Sequence, residues 1–81
     1  MGREEQFIEE VAQEVFLQLS DRDKKYLLEN PDPIDHHFGL GLYIRNKYIH
    51  GKNLRLGLIR PDSLSTKIVG RIIDMGKAEG I

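Results

Sequence analysis

The sequence predicts an all-α fold, a small single-domain bundle of about four helices over residues 1–81 with a glycine-containing third helix at its centre. Two long segments carry apolar residues at helical spacing, and two further helix starts are marked by capping residues ahead of short apolar runs. A chain of 81 residues with 40% hydrophobic side chains has room for one core only. Without cysteine it has no disulfide, thiolate or cysteine-zinc support. Self-association is one way for so short a chain to bury more surface.

In the first segment Phe7, Ile8, Val11, Ala12, Val15, Phe16 and Leu19 form one stripe. Glu4, Glu5, Glu9, Glu10 and Glu14 fall largely outside it, so residues 4–19 read as an amphipathic helix with acids at its positive end. Ser20 followed by Asp23 marks an N-cap and opens a short second helix through Tyr26, Leu27 and Leu28 that must stop before Pro31. Asp32-Pro33-Ile34-Asp35 marks a third start, and this helix is expected to run to about His50, where Gly51 suits a left-handed terminus.

Gly39 and Gly41 interrupt the third segment, and its large apolar residues also alternate, so a strand over 38–44 competes with the helix. We prefer the helix because caps fit both ends and interior glycines let a neighbouring helix approach. Leu54, Leu56 and Leu58 alternate around Gly57, which reads as loop with a short extended segment near 54–59. A last helix starts at Asp62 with Ser65 at its third position. It carries Leu64, Ile68, Val69, Ile72, Ile73 and Met75 on one face, with an end expected at Gly76 and fraying beyond.

Charge divides the chain. Residues 1–35 hold ten acids and four bases, net −6, and residues 36–81 hold three acids and eight bases, net +5. Between Asp35 and Asp62 there is no acid, while Arg45, Lys47, Lys52, Arg55 and Arg60 fall there with all three histidines. This points to an anionic partner, RNA among them, unless the acidic first helix folds against the basic half and the two fields cancel within the monomer. No apolar run approaches the roughly 18 residues that span a bilayer, and the N-terminus lacks the order of a signal peptide, so no membrane association and a cytoplasmic location are expected.

The segment His37-Phe38-Gly39-Leu40-Gly41-Leu42-Tyr43-Ile44-Arg45-Asn46 and the later Asp62-Ser63-Leu64-Ser65 start are similar to an uncharacterised family of small bacterial domains with a His, Gly and Ile-Arg-Asn pattern. The resemblance covers roughly residues 36 to 73 and implies no chemistry. Arg45-Asn46-Lys47-Tyr48-Ile49-His50 resembles the arginine, polar, x, x, x, histidine motif of HEPN helical ribonucleases. That resemblance implies metal-independent cleavage of RNA, with Arg45 stabilising charge on phosphorus, Asn46 positioning, and His50 as acid or base. Residues five apart on an ideal α-helix diverge by about 140°, so catalysis through Arg45 and His50 would call for a homodimer.

The simpler reading makes Arg45 and Asn46 buried or half-buried residues that satisfy helix ends and loop carbonyls, and His50 a helix C-terminal residue. His36 and His37 lie beside Asp32 and Asp35, but adjacent helical positions diverge by about 100° and do not share one ion. His37 is expected in the core and His36 at the surface. Tyr43 and Tyr48 serve either as core or as stacking platforms for unpaired bases. Gly39 and Gly41 lack the third glycine and the lysine of a phosphate cradle, and no metal or cofactor is expected. We therefore expect a small interaction or regulatory module, antitoxin-like or adaptor, with a protein partner and with Arg45, Asn46, Lys47, Tyr48, Lys52 and Arg55 as contact surface. A dimeric ribonuclease is the alternative.

Overall fold

A computed structural model describes residues 2–36, 38–49 and 61–80. Among these residues there is no strand, and the order is α1 (Arg3–Gln18), α2 (Asp21–Glu29), a 3₁₀ turn (Pro33–His36), α3 (Leu40–Ile44), a π turn (Arg45–Ile49) and α4 (Pro61–Glu79). The all-α expectation holds, and the 38–44 alternative resolves as helix from Leu40 onward. The expected loop and extended segment near 54–59, with His37, His50, Lys52, Arg55 and Arg60, lie outside the described residues.

The stripe on α1 does what its spacing predicts. Val11, Ala12, Val15 and Phe16 are buried, and Phe7, Ile8 and Leu19 pack against the same cluster. From the other side come Leu64, Ile68, Val69, Ile72 and Ile73 of α4. Glu4 pairs with Lys67 and Glu9 with Arg71, so residue numbers rise in the same direction along both helices and α1 and α4 run parallel. Leu27, Ile44, Tyr48 and Ile49 close the core from α2, α3 and the π turn. No helix among the described residues is long and apolar enough to cross a membrane.

Local chemistry sets the starts and stops. The Ser20 hydroxyl accepts from the Asp23 backbone N–H at 3.1 Å, and α2 ends ahead of Pro31 with the Asn30 backbone N–H donating to the Tyr26 carbonyl at 3.1 Å. Asp32 also caps as expected, its carboxylate accepting from the Ile34 N–H at 3.0 Å. What it caps is one 3₁₀ turn and not the continuous helix to His50 that the sequence suggested. The break follows from packing: the His36 carbonyl accepts from the Gly39 N–H at 3.2 Å, and α3 restarts with its first turn folded back onto that carbonyl.

Gly41 makes the restart fit. A Cβ there would stand 2.9 Å from the His36 carbonyl oxygen and 3.3 Å from Nη1 of Arg45. Its absence thus serves a close approach to the preceding turn of the same chain, where the sequence suggested approach by a neighbouring helix. The last helix also departs from expectation. It begins at Pro61 and runs through Gly76 to Glu79, because Gly76 is buried against Leu28 rather than terminal. Gly80, at φ +73°, supplies the left-handed residue just beyond the end.

Substitution at the two glycines of the third segment should separate their roles. Gly41→Ala must push on a backbone carbonyl and is expected to cost about 1–3 kcal/mol, as overpacking does. Gly39→Ala, with nothing within 4 Å of its Cβ position, should stay within about 0.5 kcal/mol. Urea unfolding midpoints followed by circular dichroism check the difference, and equal costs would contradict the close approach.

Candidate functional site

The residues singled out by the sequence fall on α3 and the π turn. In a π turn the hydrogen bonds close i to i+5, so residues on either side of Tyr48 are displaced from α-helical register. Ile44, Arg45, Tyr48 and Ile49 are buried, with Asn46 and Lys47 between them on the exposed side. The α-helical divergence of about 140° between positions 45 and 50 is therefore not the geometry of 45–49. His50, Lys52 and Arg55 lie outside the described residues.

Arg45 is 5% exposed, and its Nη1 donates to the hydroxyl of Ser65 at 3.0 Å. Ser65 is itself buried, so its hydroxyl accepts inside the core. A guanidinium stays charged under all ordinary conditions, and burying one demands that its donors be met. The bond therefore couples the π turn to α4. Burial also removes Arg45 and Tyr48 from the contact surface that the sequence suggested. Asn46 and Lys47 remain on it.

Lys47 sits over two tyrosine rings, its Nζ 5.5 Å from the centroid of Tyr43 and 5.4 Å from that of Tyr48. It also donates to the Tyr43 hydroxyl at 3.0 Å, and this bond raises the lysine above its ordinary pKa. The two rings meet edge to face, with centroids 6.4 Å apart. Tyr48 is thus core, while Tyr43 lies half exposed at its edge.

Large hydrophobic side chains are exposed within residues 34–43. Ile34, Phe38, Leu42 and Tyr43 are among the exposed large hydrophobic residues, with Phe38 at 85% and Ile34 at 72% exposure. The sequence reading placed charge, not apolar surface, at the centre of this segment. Phe38 falls between the 3₁₀ turn and α3, where its side chain is exposed.

On the opposite side the charge division is partly answered within the molecule. Arg71 Nε and Nη2 donate to the two carboxylate oxygens of Glu9 at 2.7 and 3.1 Å, and Lys67 reaches Glu4 at 2.7 Å. The Arg71 hydrogen bonds hold the Glu9 carboxyl below its ordinary value. The acidic first helix thus folds against basic side chains of α4.

His36 reverses the expectation for the histidine pair. It is buried, its Nε2 2.7 Å from the Asn30 carbonyl and its ring edge-on to Tyr26 at 5.6 Å, whereas the sequence placed it at the surface. His37, expected in the core, lies outside the described residues. Comparison with family models, curated proteins and solved structures gives no match, so both resemblances rest on the residues that carry them.

The Arg45–Ser65 bond makes a measurable prediction. Ser65→Ala should cost about 1–3 kcal/mol, because it strands a buried cationic donor. Pairing it with Arg45→Met should cost less than the sum of the single changes, by about 1 kcal/mol or more in a double-mutant cycle. Additive costs in urea unfolding would show that the two side chains are not coupled.

Proposed function

We propose that the chain is a small cytoplasmic interaction module, regulatory or adaptor in kind, that binds a protein partner through the face formed by Ile34, Phe38, Leu42 and Tyr43 with Asn46 and Lys47 beside it. The observation that carries the reading is the concentration of exposed large hydrophobic side chains within residues 34–43, at the edge of the acid-free stretch. Apolar surface grouped in this way, rimmed by polar residues, is characteristic of protein interaction sites. Lys47 would add positive charge at the rim and favour an acidic partner surface, and Lys52 and Arg55 follow it in the sequence.

The ribonuclease reading needs the Arg45 guanidinium at a phosphate. Its burial against Ser65 weighs against that role. RNA binding through residues 36–61 would rest on Asn46, Lys47 and the bases that follow them, without the arginine.

Affinity capture from cell extract with wild-type protein and with a Phe38→Ser, Leu42→Ser variant tests the proposal. Both preparations should be equally helical. The variant should recover the partner about tenfold less well or worse, as loss of central apolar contacts predicts. Capture of the same proteins by both baits would overturn the assignment of this face. So would cleavage of bulk RNA in EDTA that disappears in His50→Ala.

A further inference from the structure

A groove of about 470 Å³ opens between the end of α1, α2, the Pro33–His36 turn and the start of α3. Three rings line it, those of Tyr26, His36 and Tyr43, with Leu19 and Leu40 beneath and the carboxylates Asp23 and Asp35 at its sides. No lysine or arginine is among its lining residues that the structure describes. Glu4 and Glu9 meet bases of α4, but Asp23 and Asp35 form no ion pair with any described residue.

His36 forms part of the groove although only 5% of it is exposed. Its Nε2 lies 2.7 Å from a carbonyl oxygen, which can only accept, so Nε2 is the donor, and Nδ1 is the acceptor whenever the ring carries a single proton. Nδ1 has no hydrogen bond to a described residue. Among the described residues the groove therefore offers two carboxylates, a ring nitrogen and the rings of two tyrosines, with no cationic side chain. What satisfies it is a donor-rich cation: carboxylates supply counter-charge, aromatic rings attract cations, and the leucines accommodate a hydrocarbon stem. Its volume suits a small ligand.

We propose that this groove binds an organic cation, an ammonium or guanidinium head on a short hydrocarbon stem, with Asp23 and Asp35 as its counter-charges. The inference shares only Tyr43 with the apolar face proposed above and rests on Asp23, Asp35, Tyr26 and His36, which that face does not use. Two sources share this chemistry, a free amine or guanidine and the side chain of a lysine or arginine presented by another protein.

The test is an amide chemical-shift titration of the full chain with n-butylguanidinium and with n-butylurea, its neutral isostere, at fixed ionic strength. Butylguanidinium should give saturable shifts at Gly39 and Leu40, and butylurea should bind about tenfold more weakly or not at all. An Asp23→Asn, Asp35→Asn variant with unchanged circular dichroism should lose about tenfold in affinity for the cation. If that variant does not fold, the comparison of the two probes on the wild-type protein decides. A third probe, acetyl-Gly-Arg-Gly-amide, separates the sources: tighter binding than butylguanidinium assigns the cation to a protein side chain, and weaker binding assigns it to a free amine. Equal affinity for the charged and neutral probes, no saturable shift up to about 20 mM, or a folded variant that binds as wild type would each overturn the proposal.

Discussion

A guanidinium group cannot rest inside a packed bundle unless its donors are met, and in this protein Nη1 of Arg45 is met by the hydroxyl of Ser65 at 3.0 Å. Three other features are arranged around that bond. Arg45 opens the π turn and is buried, as are Ile44, Tyr48 and Ile49. Gly41 leaves room for the guanidinium and for the His36 carbonyl, both of which a Cβ would crowd. Ser65 is held at 1% exposure on α4, so the bond ties the irregular half of the chain to the regular one. Two helices that share no continuous segment are thereby fixed in register.

The second constraint is the parallel pairing of α1 and α4. Parallel neighbours place like helix ends side by side, which their dipoles do not favour, and the apolar stripes must hold them together. Across this seam Glu4–Lys67 and Glu9–Arg71 run in the same order along both helices. Exposed pairs of this kind add little stability. Their effect is to fix register and to match part of the acidic first helix against bases of the second half. Asp23 and Asp35 are left outside that arrangement, on the side where the groove lies.

Much of this architecture can be read from residue spacing alone. The stripes of α1 and α4 obey helical periodicity, and Ser20 and Asp32 cap where their chemistry says they should. The restart of the helix at Leu40 cannot be read in the same way, because an Asp cap looks identical ahead of one 3₁₀ turn and ahead of a long helix. With the helix restarting there, His36 goes inward and Phe38 outward, the reverse of a continuous amphipathic helix. Gly76 deceives for a related reason: in sequence a glycine near a helix end reads as a stop, whereas here it is a packing position against Leu28.

The candidate site shows the same limit more sharply. An arginine followed by asparagine and, later, histidine has the same letters whether the guanidinium faces a phosphate or a serine inside the core. Only the burial of Arg45 and its bond to Ser65 distinguish the two. The groove, in turn, assembles Asp23, Tyr26, Asp35 and Tyr43 from separate elements, and no local motif announces it. Its one sequence signal is the excess of acids over bases before residue 36.

Whether Arg45 belongs to the core or to a contact surface is the question on which the rest turns, and native-state modification with phenylglyoxal followed by peptide mass spectrometry addresses it directly. Arg22, exposed on α2, is the internal reference. Arg45 should be protected relative to Arg22 and should react at the rate at which the protein unfolds, with protection lost in denaturant. Modification of Arg45 as rapid as that of Arg22 in the folded protein would contradict a buried Arg45–Ser65 bond and return the arginine to the surface.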